Sequence, residues 1–354
     1  MIEKKRSADS PQVSIVLPCL NEEQAIASCL EQIVSIVNRN NLKAEIIVVD
    51  NGSTDSSCKI ALGKKVRLIH EKLAGYGAAC LKGFEAAQGN LLFLADCDGS
   101  YDFGEIPRFI EELENGYDFV IGDRFKGKME KGAMPWIHRY IGNPILSGIF
   151  RLFFNASIHD AHCGMRALTK EALKKLKLKT SGMEFASEML IKAVKSKMKI
   201  KELNINYYKR RGQSKLKSFV DGWRHLRFML LYSPLFLFFV PGLTLFIIGC
   251  ILMARMHPGL LASLLVITGY QLIIFSLFAK IYAINHLEDE PVLDNFYKYI
   301  NIEKAIIAGV LMMSVGIGIY LKTKNSILGM TLATIGIQTV SSSFMLSILG
   351  IKEK

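Results

Sequence analysis

The 354-residue chain is 50% hydrophobic and 21% charged, with 28 Gly against 9 Pro, which excludes a mainly disordered chain and a small disulfide scaffold. Lys plus Arg outnumber Asp plus Glu by 44 to 32, a net charge of +12 that suits nucleic acid, an anionic membrane surface or a phosphorylated substrate without choosing among them. Residues 233–354 hold eight Lys or Arg against six Asp or Glu, so almost all of the excess lies in the first two-thirds of the chain.

The N-terminus, MIEKKRSADSPQ, is polar and lacks the apolar core of a cleaved signal; residues 1–12 read as a tail. Val13–Leu17 and Glu45–Val49 are short apolar runs with the look of buried strands, and Glu22–Val37 between them carries Ile26, Leu30, Ile33, Val34 and Val37 at helical spacing. Val66–Ile69, Leu91–Ala95 and Phe119–Ile121 repeat the strand signal, with helices predicted at Ala78–Ala87 and Ile106–Leu113. Such alternation predicts a mostly parallel α/β sheet covered on both faces, with its polar loops gathered at the C-terminal strand ends where ligands bind.

Those ends read Pro18-Cys19-Leu20-Asn21-Glu22, Asp50-Asn51-Gly52-Ser53-Thr54-Asp55 and Asp96-Cys97-Asp98-Gly99. Neither GxGxxG nor GxxxxGK followed by Ser or Thr is present. Asp50 or Asn21 alone reads equally as a helix cap, but three such clusters at equivalent strand ends need more than capping. Asp96 and Asp98 are two apart after a strand, so on extended backbone they share a face and can approach one divalent cation and its diphosphate; Mg²⁺ or Mn²⁺ suits such oxygen ligands.

Lys72-Leu73-Ala74-Gly75-Tyr76-Gly77 follows the Val66 strand, where Lys72 could contact phosphate or base and the glycines allow close backbone approach. Arg124, after another strand, could bind diphosphate or organise the acceptor side. Met134–Phe154 is too interrupted by Arg139 and Arg151 to span a bilayer and reads as an interfacial helix pair broken near Asn143-Pro144, with Trp136, Ile141, Ile145, Phe150 and Phe153 toward lipid; burial against the sheet is the competing account. Arg210-Arg211-Gly212-Gln213-Ser214-Lys215 is a basic run before an amphipathic helix at 215–232, able to grip a lipid phosphate or anionic headgroups.

No charge occurs between Arg227 and Arg255, and uncharged stretches recur at Met256–Ala279, Ala305–Leu321 and Asn325–Ile351. They predict four spans, near 230–253, 259–281, 303–321 and 327–350, within a membrane domain of residues 233–354. An even number places both termini on one side, expected to be cytoplasmic because the basic N-terminal portion has no export signal; Lys280, Lys298 and Lys304 on that side nearly balance Arg255, Lys322 and Lys324 on the other. The seven Cys are scattered without a CxxC pair, in keeping with a reduced cytosolic setting. Basic residues do not form an aromatic-interleaved stacking face, so no nucleic-acid partner is expected.

Together PCLNEE, DNGSTD, DCDGSYDFGEIP, GDRFKG and DAHCGMRALTKEAL resemble family 2 inverting glycosyltransferases with a GT-A fold, in particular the membrane-tethered branch that makes polyprenyl- or dolichyl-phosphate hexoses. The resemblance covers residues 13 to about 242 and continues more loosely through the spans. It implies a cytosolic GT-A domain at 13–214, with Pro18, Asn21, Glu22, Asp50 and Gly52 lining the nucleotide pocket beside Lys72 and Gly75, and Asp96 and Asp98 at the metal and sugar diphosphate. By the same resemblance, Asp160, Cys163, Gly164, Met165 and Arg166 form the acceptor-proximal motif. Family members often carry an acid where Gly164 stands, which leaves Asp160 as the candidate base or as a residue orienting Arg166. Glu184 would contact sugar hydroxyls or start a helix through the macrodipole. The RxGxSK pattern implies that Arg211, Ser214 and Lys215, with Arg139, hold the acceptor phosphate.

The expected reaction is inverting transfer of one hexose from a nucleotide sugar, with UDP preferred, to polyprenyl or dolichyl phosphate. The partners would be that donor, that acceptor and membrane lipids, and the resemblance also admits a homo-oligomer. A saccharide-extending enzyme would be expected to carry QxxRW, which is missing here. A non-catalytic nucleotide-sugar-binding membrane partner would not need both Asp96 and Asp98.

Overall fold

In the computed structural model, residues 11–64, 66–212, 218–255, 259–286, 302–322 and 326–349 are described. They divide into two compact units, Met1–Met229 and Leu230–Lys354. The first is built on a seven-stranded sheet in the order β3-β2-β1-β4-β6-β5-β7. Its strands are β1 (Val13–Cys19), β2 (Ala44–Asp50), β3 (Arg67–His70), β4 (Leu91–Leu94), β5 (Phe119–Asp123), β6 (Arg166–Thr169) and β7 (Ile200–Asn204).

The β-branched and aromatic runs that predict the central strands are fully buried: Ile15, Val16 and Leu17 in β1, Ile47, Val48 and Val49 in β2, Leu92 and Phe93 in β4. Each such side chain contributes about 1.5–3 kcal/mol by leaving water. Helix α1 (Ile26–Arg39) buries Ile26, Cys29, Leu30 and Ile33 as its spacing requires. The further helices α2 (Ser57–Leu62), α3 (Tyr76–Ala86) and α4 (Ile106–Glu114) complete the α/β alternation.

Two strands lie outside the sequence expectation. β6 is four residues long and opens on an arginine, and it enters between β4 and β5 antiparallel to both. β7 adds to β5 in parallel and carries Lys201, Glu202 and Asn204. Because β6 runs backwards, the loop before it, not the loop after it, lies at the C-terminal ends of the parallel strands. That is why the DAHCGM segment precedes its strand.

A π-helical turn (His138–Gly142) leads directly into α5 (Asn143–Phe154). Trp136 is 65% exposed, and Ile137, Tyr140, Ile141, Ile145 and Leu152 are exposed with it. Phe150 departs from the expected lipid-facing set. It is buried, with its ring 5.0 Å from that of Phe154, and together with Ser147 it forms the inward face of α5. Helices α6 (Lys170–Leu176) and α7 (Phe185–Lys195) follow, and α8 (Ser218–Leu231) carries the chain across the unit boundary.

The second unit holds α9 (Val240–Arg255), preceded by a π-helical turn at Leu235–Phe239, then α10 (Leu260–His286), α11 (Ile302–Lys322) and α12 (Ser326–Leu349). Four segments, Leu235–Arg255, Leu260–Ile284, Ile302–Lys322 and Ser326–Leu349, are long and apolar enough to cross a membrane. Helix α9 pairs with α10 and α11 with α12, and α10 also packs on α12.

Candidate active site

The ends of β1 and β2 are tied by hydrogen bonds from their loop side chains. Asn21 takes a left-handed backbone (φ 51°), which asparagine tolerates. Its backbone N–H donates to Ser53 Oγ at 2.9 Å, and its Oδ1 accepts from Thr54 N at 2.7 Å. Asp50 accepts from Ser53 N at 3.0 Å and Gly52 N at 3.3 Å and lies 3.1 Å from His70 Nδ1. Burial opposes its ionisation, yet the hydrogen bonds from Ser53, Cys58 and His70 outweigh it and hold the carboxyl below its ordinary value. Cys97 Sγ donates to Pro18 O at 3.4 Å, joining the end of β4 to that of β1.

The acidic centre lies where β1 and β4 end. Asp98 is buried, with Oδ1 accepting from Ser100 N at 2.9 Å. Its Oδ2 lies 3.4 Å from Arg210 Nη2, and the same nitrogen donates to Glu22 Oε1 at 2.9 Å. Asp96 is pushed up to about 7, first by burial and then by the charge of Asp98, while a hydrogen bond from Tyr76 works the other way. Hard oxygen donors crowded closely enough that the charge of Asp98 raises the proton affinity of Asp96, and that already gather a guanidinium, have the chemistry of a divalent-cation site. The donor set therefore fits Mg²⁺ or Mn²⁺, with Arg210 standing in as the counter-charge.

Gly164 faces this centre. A Cβ there would lie 2.7 Å from Asp96 Oδ2 and 3.0 Å from the Tyr101 hydroxyl, to which Gly164 N donates at 2.8 Å. A side chain there would displace the Asp96 carboxylate or the Tyr101 hydroxyl.

Asp160 and Arg124 form a buried bidentate pair, Nε to Oδ2 at 2.7 Å and Nη2 to Oδ1 at 2.8 Å. Arg124 N adds a third bond at 3.2 Å, and the guanidinium lies 5.2 Å from the Tyr207 ring centroid. Asp160 thus pairs with Arg124 and not with Arg166. Arg166 is buried and gives its guanidinium to three main-chain carbonyls, Cys163 at 2.8 Å, Ala186 at 2.6 Å and Ala161 at 3.1 Å. It braces the loop before β6 against α7.

The glycines after Lys72 serve a close approach, but to protein backbone. Gly75 has φ +145°, and a Cβ on it would meet Ser181 O at 2.2 Å. Gly77 N and Ala78 N donate to Gly182 O and Ser181 O, so the 181–182 carbonyls occupy the start of α3. Glu188, buried on α7, anchors the preceding residues through Lys179 N at 3.0 Å and Thr180 N at 2.8 Å, with Lys192 Nζ at 2.8 Å. Glu184 stands at the start of α7 with its carboxylate beside Gly182. Lys72 is exposed.

Of the expected acceptor-binding residues, Arg139 is half-buried in the π-turn with its guanidinium 5.3 Å from the Tyr140 centroid. Ser214 and Lys215 lie outside the described residues. Arg211 turns away from the carboxylates: its N donates to Asp98 O at 2.8 Å, but its side chain donates to Ser28 Oγ at 3.1 Å. Arg210 is the arginine that reaches the acids, and counting back from Gly212 it is also the first arginine of RxGxSK. Tyr76, Tyr101 and Arg210 are the contributors that sequence reasoning missed; the RxGxSK spacing was the available signal for the last.

Two further sets of metal-capable side chains lie among the described residues, Asp50–Cys58–His70 and Asp123–His159–Glu202, each with donor atoms within 4.8 Å. The first belongs to the β2 loop. The second already has a cation, Lys126 Nζ, 3.7 Å from Asp123 Oδ2.

An α/β sheet of this order, with acidic and amide residues at its strand ends, is a GT-A domain. Residues 14–177 match the glycosyl transferase family 2 profile. The chain is 33% identical over 378 residues to the low-salt glycan biosynthesis hexosyltransferase Agl6 of Haloferax volcanii, covering 97% of this chain and 91% of that protein. It is 34% identical over 212 residues to the dolichyl-phosphate hexose transferase of the same organism, covering 59% of this chain and 89% of that one. Glucosyl-3-phosphoglycerate synthase from Mycobacterium tuberculosis, solved with Mn²⁺ and uridine diphosphate, superposes with a TM-score of 0.53 at 20% identity, covering 63% of this chain and 80% of the other, a likeness of fold. The chain belongs to glycosyltransferase family 2 and is related to dolichyl- and polyprenyl-phosphate hexose transferases.

Proposed function

We propose that this protein transfers a single hexose, with inversion, from a nucleoside diphosphate sugar to a polyprenyl or dolichyl phosphate at the cytoplasmic face of a membrane spanned by its four apolar helices. The observation that carries the reading is the convergence of Asp98 and Glu22 on Arg210, in the segment directly before α8 and the first apolar helix. The same reading divides the chain into a catalytic domain at 13–214, a juxtamembrane helix at 215–232 and a membrane domain at 233–354, and takes UDP as the donor nucleotide.

In this mechanism the loops of Pro18, Asn21, Asp50 and Gly52 hold the nucleotide, with Lys72 at their rim. Asp98, with Asp96, would hold the cation. Mg²⁺ or Mn²⁺, when bound, supplies positive charge against the departing diphosphate. Arg210 turns from the carboxylates to the acceptor phosphate, for which Arg139, Arg211, Ser214 and Lys215 are the further proposed donors. A phosphate oxygen attacks C1 of the sugar as the bond from C1 to the diphosphate breaks, and the leaving nucleotide takes the electron pair. The acceptor is already ionised near neutral pH, so no strong base is required. That agrees with Asp160 being buried and held at both oxygens by Arg124. Asp160 and Arg166 position the acceptor loop, and Glu184 faces the sugar.

The test offers the full-length protein in lipid a panel of UDP- and GDP-hexoses with a short polyprenyl phosphate and Mg²⁺ or Mn²⁺, and identifies the product by mass. A lipid-phosphate monosaccharide is expected. Folded, lipid-supplied protein that gives no lipid-linked sugar with any donor overturns the reading.

A further inference from the structure

The apolar helices repeat one another in detail. Gly242 and Gly249 of α9 recur as Gly309 and Gly316 of α11, and Ala262 and Gly269 of α10 as Gly329 and Gly336 of α12, each 67 positions later. Arg255 and Lys322, Gln271 and Gln338, and Ser276 and Ser343 stand in the same relation. The packing repeats with the sequence. A Cβ on Gly249 would lie 2.7 Å from Val266 N and 3.0 Å from Ala262 O, and one on Gly316 would lie 2.4 Å from Ala333 N and 2.6 Å from Gly329 O, the same atoms 67 positions on. A Cβ on Gly269 would meet Phe246 N and Gly242 O at 2.4 and 2.6 Å; on Gly336 it would meet Met313 N and Gly309 O at 2.5 and 2.6 Å. Each helix pair is thus the same hairpin, with backbones brought together along a seam of small residues.

The two hairpins meet through different faces. Ser263 and Tyr270 of α10 bond Thr331 and Thr339 of α12 at 2.7 and 2.6 Å. The positions of α12 that repeat Ser263 and Tyr270 are Met330 and Ile337, 59% and 54% exposed. The positions of α10 that repeat Thr331 and Thr339 are Leu264, 59% exposed, and Leu272. A contact between unlike faces of like units would continue to a third hairpin if its faces were kept. They are not kept. Hydroxyls hold helices together in hydrocarbon, whereas Leu, Met and Ile there are matched equally by lipid tails.

We propose that this unit is a tandem duplication of one helical hairpin, diverged so that a hydroxyl seam joins its halves within one chain while the repeat-equivalent outer faces meet lipid tails and not a second copy. The proposal rests on the reading that these helices span a bilayer.

Full-length protein with Cys250→Ala, reconstituted in phosphatidylcholine nanodiscs, carries Ser263→Cys with Thr331→Cys. Oxidation should give a reducible bridge within single chains, while Leu264→Cys and Ile337→Cys alone give no covalent dimers, and native mass spectrometry should count one chain per disc. Chain-to-chain bridging by the paired cysteines, dimers through Leu264→Cys or Ile337→Cys, or no bridge at all overturns the proposal. Thr331→Val with Thr339→Val supplies a measurement independent of cysteine, and should lower the melting temperature without changing the chain count. Carbonate-resistant insertion, measured separately, distinguishes failure of the seam from failure of the spanning reading.

Discussion

At the scale of single residues, Asp98, Asp160 and Gly164 separate three roles. Asp98→Asn should abolish sugar transfer and leave membrane insertion intact; full activity of that variant removes Asp98 from the cation site. Asp160→Asn leaves Arg124 buried and unmatched, and breaking such a pair costs about 3–5 kcal/mol. Its main effect should be a fall in melting temperature. Loss of turnover with unchanged stability would restore Asp160 to the chemistry. Gly164→Ala places a methyl 2.7 Å from Asp96 Oδ2, and should weaken Mn²⁺ binding, followed by calorimetry, by about tenfold (about 1.4 kcal/mol) with little change in stability. Strand-end acids were legible in the sequence because they sit next to hydrophobic runs. The Asp160–Arg124 pairing was not, because it joins residues 36 positions apart and the nearer Arg166 was the expected partner.

Among elements, β1, β2, β4 and β5 were readable in the sequence, since each buries a contiguous apolar run. The antiparallel insertion was not. Arg166–Thr169 offers only four residues, and the charge of Arg166 is buried by main-chain carbonyls that no local pattern announces. The same limit hid the contact made by α8. Ser187 Oγ lies 2.8 Å from His225 Nδ1, and the rings of His162 and His225 meet edge to face at 4.7 Å. Neither ring nitrogen of His162 has a hydrogen-bond partner. Burial, with a lesser contribution from the Arg166 charge, lowers His225 from 6.5 to about 4 despite the opposing charge of Asp221. Burial lowers His162 as well, helped by His225 and the two nearby arginines. An imidazole harder to protonate in the folded state contributes stability that is complete above about 6.5 and is lost as pH falls toward 4. Melting temperature should therefore drop across that window, and His225→Gln should flatten the drop. A profile equally steep in the variant would assign the acid sensitivity elsewhere.

For the whole molecule, the excess of basic residues and the hydrophobic fraction belong to different parts of the chain, as the uncharged stretches already indicated. The four apolar helices were legible because length and lack of charge suffice to mark them; the duplication became visible only when backbone contacts were placed beside the sequence. The bond from Arg210 to Glu22 joins residues 188 positions apart. Closing so long a loop is slow to be rewarded by contacts, so such pairings form late in folding. During synthesis, the acids of β1 and β4 leave the ribosome long before the arginine that neutralises them, and that arginine emerges shortly before the first apolar helix. On the proposed function, the acidic centre therefore gains its counter-charge only as the apolar helices begin to follow, so the order of translation itself delays a complete site until they are made.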